Sequence, residues 1–379
     1  MAELPIHPAP HPGIERLRGL VRHPFRLGVT VQLPQRVGAD AAQRGVLARG
    51  AVDAAAKRLA ELGVAPGDLP AWQARLEAEL TGGRGHGTRV ALVTDAAEVS
   101  LDLPSELPYR VSVGRTLALR SVLRALSFAP PFHVLAVSQN RVRLYASDGI
   151  EIAEIPLGAI PGSLEDALGS ELSEKGELRL RGTRSGGGAP VYYAHGDAAS
   201  ERKRDRERFE QAIAHGVHER FRRDATPLVL AAETAHLRGL RALLELPGLI
   251  EEGVASSPDR LSGDELRQRA AACIAAACAA RESELTASLE RSRNLGKVLE
   301  IVDDVAAASV TGRVRRLLVD LDRTQPGSVD PESGRAVAAV GDDDVFESLV
   351  AAVLARGGDV DVLPTAALAA ASGVAAELR

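Results

Sequence analysis

The residues in this chain whose types and spacing could do chemistry are concentrated in AHGDAASERKRDRERF, Ala194–Phe209. A strand-like VYYA, Val191–Ala194, ends at His195-Gly196, a short loop His195–Ser200 follows, and a charged helix begins. Residues 201–208 carry five basic and three acidic side chains, with Lys203/Glu207 and Asp205/Arg208 at helical spacing. Such pairs alone describe an exposed helix held by its own charges. The functional alternative is that Arg202, Lys203 and Arg204 at the helix entrance reach RNA phosphate or a partner. His195 and Asp197 could also serve as an acid–base pair on an ester, although a carboxylate placed there ordinarily caps a helix.

Other groups carry less. His215 and His218 in HGVH could share a helix face, but no third ligand has metal-site spacing and no Glu lies between them as a base. Cys273 and Cys278 are five apart, so on a helix they point about 140° from each other, as small core residues do. GGRGHG, Gly82–Gly87, follows a helix and precedes a strand, the reverse of a dinucleotide fingerprint, and reads as a connector. GxSxG, P-loop, CxxC and HExxH motifs are missing from the sequence. No metal, cofactor or catalytic residue is expected, and the balance leans against an enzyme. Asp342, Asp343 and Asp344 open a helix. One or two carboxylates suit the helix dipole and a third adds repulsion, so this run is expected to offer an acidic patch to a basic protein partner.

These groups must be positioned by a chain of 379 residues, which at about 150 per domain makes two or three domains. Apolar residues make up 45% and aromatics 3%, so the cores are built from Ala, Leu and Val. The apolar runs are shorter than the roughly 20 residues of a membrane span, and the start MAELPIHPAPHPG shows no leader pattern. Two cysteines suggest a reducing compartment, and the expectation is a cytoplasmic protein with no membrane role. The net charge of −5 argues against a protein that coats nucleic acid. Its distribution is uneven: +4 over residues 1–125, −3 over 126–256 and −6 over 257–379. Any RNA contact is therefore expected in the first part.

The pattern predicts three α/β domains, at 1–127, 128–256 and 257–379. In the first, Phe25–Leu33 alternates as a strand that stops at Pro34, Ala41–Leu62 and Pro70–Leu80 are helices, Arg89–Thr94 is a buried strand, and Arg115–Leu126 is an amphipathic helix. In the second, His133–Ile155 gives three strands, and the helix Ser200–Arg223 carries Phe209, Ile213, Val217 and Phe221 at strict i+4 steps. The strand Pro227–Ala231 and the helix Ala235–Leu246 follow. In the third, Ser262 and Glu265 form a capping box for a helix to about Arg293. After it come a helix Lys297–Ser309 with Val298 and Ile301 inward, a strand in Gly312–Asp322, a helix Asp342–Arg356 and a strand Asp359–Pro364. This last part is expected to fold alone around a core that includes Leu317, Val319, Phe346, Leu349 and Val353.

Taken in order, HVLAVSQNRVRLY, VYYAHG with its charged helix, PLVLAAE, LIEEGVASSPDRLSGDELRQRA and the pair GRVRRLLVDLD with DDDVFESLVAAVLARGGDVDVLP resemble the bacterial archaeo-eukaryotic release factor family, most closely its third subfamily. The resemblance covers roughly residues 25–370 and is strongest from His133 onward. It implies a ribonuclease-H-like middle domain and a last domain similar to the C-terminal domain of release factors and Pelota, where a protein partner is held. It implies a role in translation termination, ribosome rescue or hibernation, with the ribosome or structured RNA as partner. Members with hydrolytic activity carry Gly-Gly-Gln before the long helix of the middle domain. The matching loop here, His195–Ser200, has one glycine and no glutamine, so peptidyl-tRNA hydrolysis is not expected. Two alternatives stand beside this reading: a hydrolase of tRNA or a small ester that uses the loop His195–Ser200, and an interaction scaffold without nucleic acid.

Overall fold

The computed structural model describes residues 11–35, 41–83, 86–138, 141–169, 197–224, 226–368 and 370–379. The chain is mixed α/β with several sheets. Its described residues divide into two compact units, Pro131–Ile274 and the pair Pro10–Pro130 with Ala275–Arg379.

Segment Pro10–Pro130 contains α1 (Pro12–Arg22), β1 (Gly28–Gln35), α2 (Ala41–Glu61), α3 (Leu69–Leu80), β2 (Gly87–Thr94), β3 (Glu98–Leu103), β4 (Arg110–Gly114) and α4 (Arg120–Phe128). The strands form an antiparallel sheet in the order β3-β2-β1-β4. Side chains alternate between its faces. Val29, Val31, Ala91 and Val93 meet Leu59, Trp72 and Leu76 of the helical pair. Val90 and Leu92 face the opposite way, into a core that includes Leu17, Leu20 and Leu123. Burial on both faces is why RVALVT is an unbroken apolar run. Strand β1 does not stop at Pro34; the β4 ladder ends at Gln32, and beyond it the strand pairs with β2 alone, where a missing donor is tolerated.

In Pro131–Ile274 the elements are β5 (Phe132–Val137), β6 (Val142–Ser147), β7 (Ile152–Ile155), α5 (Leu164–Leu168), α6 (Asp197–Phe221), β8 (Leu228–Ala232), α7 (Thr234–Leu243), β9 (Val254–Ala255) and the start of α8 (Gly263–Asn294). The sheet order is β7-β6-β5-β8-β9, with β6 antiparallel to both neighbours and β5, β8 and β9 parallel. This is the ribonuclease-H-like arrangement expected. The stripe Phe209, Ile213, Val217 and Phe221 is fully buried against Leu135, Leu228 and Leu230. Gly216 lies on the same helix because a Cβ there would come within 2.6 Å of the Ala159 carbonyl oxygen.

Segment Ala275–Arg379 adds the rest of α8, then β10 (Val298–Leu299), α9 (Val302–Val310), β11 (Val314–Asp320), the two-residue strands β12 (Ser328–Val329) and β13 (Ala336–Val337), α10 (Val345–Ala355), β14 (Asp359–Leu363) and β15 (Val374–Leu378). Its main sheet runs β10-β15-β11-β14. Leu318 packs with Leu289 of α8, and Leu317 and Val319 pack with Phe346, Leu349 and Val353. Two expectations fail here. Lys297–Ser309 is not one helix: Gly296 turns at φ +67°, Val298 pairs with Glu377, and Ile301 is 65% exposed at the N-cap of α9. The last third also keeps only part of its core to itself, around Leu289, Leu318, Leu363 and Leu368. The cluster of Leu317, Val319, Phe346 and Leu349 is continuous with Leu17, Leu92, Leu117 and Leu123 of the first segment.

Candidate functional site

The charged helix entrance is part of α6. His195 and Gly196, like the strand-like VYYA, lie outside the described residues. Asp197 is the first residue of α6 and Arg202 falls in its second turn. Lys203 and Arg204 are exposed, and Lys203 Nζ lies 3.8 Å from Glu207 Oε1. One turn further, Arg206 Nε lies 3.6 Å from Glu210 Oε1. Glu210 is buried, and its Oε1 is 2.9 Å from Nδ1 of the buried His236 on α7. Burial pushes the Glu210 carboxyl above its ordinary pKa, and the neighbouring His236 acts in the opposite direction. Gly239 makes room for this pairing, since a Cβ there would run into the Glu210 carboxylate.

The pair fixes the geometry of the site. Glu210 meets the first turn of α7, and His218 further along α6 accepts through Nε2 from the Glu245 amide, 3.3 Å away, just past the end of α7. The two helices therefore run side by side in the same direction; α6 begins thirteen residues before Glu210, about 20 Å away along its axis, while the N-terminus of α7 lies at the carboxyl end of β8. This is the edge of a parallel sheet where α/β proteins bind ligands. Lys203 and Arg204 are legible as candidates in the sequence; Glu210 and His236 are not. A polar pair buried between two helices shows only as a Glu and a His flanked by apolar residues, a pattern that ordinary core edges share.

His218 is occupied structurally, with Nδ1 2.9 Å from the Ala214 carbonyl oxygen, while His215 is exposed. Cys273 is buried and Cys278 partly so, and burial raises the pKa of both thiols. Among the described residues no three His, Cys, Asp or Glu side chains stand together to hold a metal ion. No described helix is long and apolar enough to cross a membrane.

The acidic run Asp342–Asp344 belongs to the other unit, and the structure corrects its expected role. Asp343 and Asp344 are 4% and 6% exposed. Asp343 Oδ1 accepts from the amides of Arg115 and Thr116 at 2.6 and 3.0 Å, and its Oδ2 from that of Val340 at 2.9 Å. Asp344 caps α10 through the Phe346 amide at 2.8 Å. Asp342, partly exposed, accepts from the Val113 amide at 2.9 Å and pairs with Arg58 at 2.5 Å. Beside them Arg120 and Glu347, each 2% exposed, are joined at 3.1 Å. Arg120 also donates to the carbonyl oxygens of Asp320 and Arg323, at 2.7 and 2.5 Å, and lies 3.3 Å from Asp344. Burial raises the Glu347 pKa against the pull of Arg120 and the Leu119 amide. These carboxylates hold the backbone of 113–120, so α4 begins at Arg120 and not at Arg115. The patch is an internal clasp and is not available to a partner at Asp343 or Asp344.

Compared with known proteins, residues 131–313 match the family model of the bacterial archaeo-eukaryotic release factor family 3. The resemblance seen in the sequence is thus found over the segment that carries α6 and α7. No curated protein sequence matches the chain. Among solved structures, the chain is similar to the archaeal translation termination factor aRF1, at 14% identity over 97% of each chain with a TM-score of 0.25. It is similar to the ribosome-bound archaeal Pelota described with ABCE1, at 13% identity over 98% of this chain and 95% of that chain, TM-score 0.38. A third is Archaeoglobus fulgidus Pelota, at 16% identity over 77% and 79%, TM-score 0.35. At these scores the superpositions carry no argument; the family match does.

Proposed function

We propose that this protein, whose residues 131–313 match a release-factor family model, is a translation factor that associates with the ribosome and does not hydrolyse peptidyl-tRNA. The single observation that carries the reading is that the family match spans the long helix α6 while the loop before it reads His195-Gly196-Asp197-Ala198-Ala199-Ser200. That loop has neither a glycine pair nor an amide side chain to hold a water against an ester. What this end of the unit does offer is charge: the exposed Lys203 and Arg204 near the start of α6. Guanidinium and ammonium groups in that setting suit RNA phosphate.

The test is peptide release from ribosomes stalled with a labelled peptidyl-tRNA, next to a pull-down of ribosomal subunits by the tagged protein. The expected result is capture of ribosomes without release of peptide. Release that is abolished by Asp197→Ala or His195→Ala would replace this reading with that of a hydrolase.

A further inference from the structure

At 100° per residue, α7 presents three flanks. Leu237 and Leu240 are buried on the sheet. His236 and Gly239 face Glu210 of α6. The remaining flank carries Arg238 and Arg241, which line an open groove of about 310 Å³ with Thr234, Glu252 and Gly253. The groove runs along α7 beside the start of β9, where Glu252 and Gly253 precede Val254 and Gly253 lies against Leu230 of β8.

Three observations point to its occupant. Arg238 and Arg241 are exposed, one turn apart, and make no ion pair or hydrogen bond with any described residue. This contrasts with Arg206, Arg220 and Arg267 of the same unit, each of which is engaged. Glu233 at the N-cap of α7 makes no side-chain capping bond, so the first-turn amides beside Thr234 keep their donors. The floor is kept low by Gly253, where a Cβ would lie 2.7 Å from the Leu230 carbonyl oxygen and 3.3 Å from Nη2 of Arg241. Two forked guanidiniums and open helix amides are the donor set that phosphate recognition uses. Glu252 on the rim disfavours a bare multiply charged anion and can accept from a sugar hydroxyl.

We propose that this groove is a phosphate-binding site that takes a phosphodiester of an RNA backbone, with Glu252 receiving the 2′-hydroxyl. The proposal rests on the ribosome-association reading and names the chemistry by which the unit would meet RNA. Arg238 and Arg241 hold one or two phosphates, and Arg206, which pairs with Glu210, is not part of the groove.

The experiment uses the full chain and the double variant Arg238→Gln/Arg241→Gln, whose exposed sites leave the circular dichroism spectrum unchanged. Binding of a fluorescent RNA hairpin is followed by anisotropy over a range of salt. The expected result is several-fold weaker binding at low salt, with the slope of log affinity against log salt shallower by about 1 for each phosphate that is no longer neutralised. DNA of the same sequence should bind the wild-type chain more weakly than RNA does, and Glu252→Gln should narrow that difference. Inorganic phosphate and a nucleoside monophosphate compete as controls; displacement of the hairpin by either at equal concentration would overturn the RNA assignment in favour of a free phosphate ligand. Equal affinity and slope in the wild type and double variant would overturn the groove itself. Ribosome co-sedimentation separates the two readings: a wild type that pellets while its hairpin binding ignores Arg238 and Arg241 removes the groove alone. A wild type that binds hairpins through them yet never pellets supports the groove and removes ribosome association.

Discussion

His11 shows how a single side chain ties stability to pH. Its Nδ1 accepts from the Gly13 amide at 2.8 Å and so caps α1. Burial lowers its pKa from 6.5 to about 4. The unfolded chain thus takes up a proton near pH 6.5, and the folded chain does so only near 4. The stability from neutral His11 is complete above that upper value and is lost as the pH falls toward the lower one. His11→Asn keeps a capping acceptor without the titration. Denaturant midpoints measured from about pH 7 down to about pH 4 should therefore fall less steeply for His11→Asn than for the wild type; parallel curves would contradict the assignment. Arg120 sits at the other extreme of burial. Arg120→Ala strands Glu347 and Asp344 without their cation and should cost about 3–5 kcal/mol in urea unfolding. Arg120→Met with Glu347→Leu should cost less than the two single changes together. A loss under about 1 kcal/mol for Arg120→Ala would show that the clasp does not hold the fold.

At the scale of elements, α1, β2 and α4 share one core with β11, α10 and β15. Residues 257–379 expressed alone would expose Phe346, Leu349 and Val353 where Leu17, Leu92 and Leu123 cover them in the whole chain. The fragment should melt without cooperativity, and adding residues 10–130 should restore a cooperative transition. A cooperative melt of 257–379 by itself would contradict the shared core. The sequence pattern reveals the elements better than their partnerships. The Phe209–Phe221 stripe names its own buried face, because a helical period survives in any context. The strand Glu98–Leu103 is not legible in the pattern, because its outer face is Glu98, Ser100 and Asp102 and only Leu101 and Leu103 are buried. The run Asp342–Asp344 misleads for a related reason. Three adjacent carboxylates look like a surface, and only the fold brings the amides of 113, 115 and 116 to meet them.

Across the whole chain the uneven charge changes meaning. By count alone, the +4 of residues 1–125 points to RNA contact there. In the structure Arg18 pairs with Asp359, Arg58 with Asp342, Arg120 with Asp344 and Glu347, and Arg124 with Glu282. Much of the excess of the first segment is complementary to the deficit of the last, within one compact unit. No charge count could show this, because complementarity depends on which segments the topology brings together. Arg238 and Arg241 on α7, with Lys203 and Arg204 on α6, instead give the unit Pro131–Ile274 the surface suited to phosphate. Ribosome association is tested most directly by co-sedimentation of the purified full-length protein with ribosomes through a sucrose cushion, at low and at high salt. The protein should pellet with ribosomes at low salt and move to the supernatant as salt rises; a protein that stays in the supernatant at low salt, with ribosomes present in excess, would contradict ribosome association.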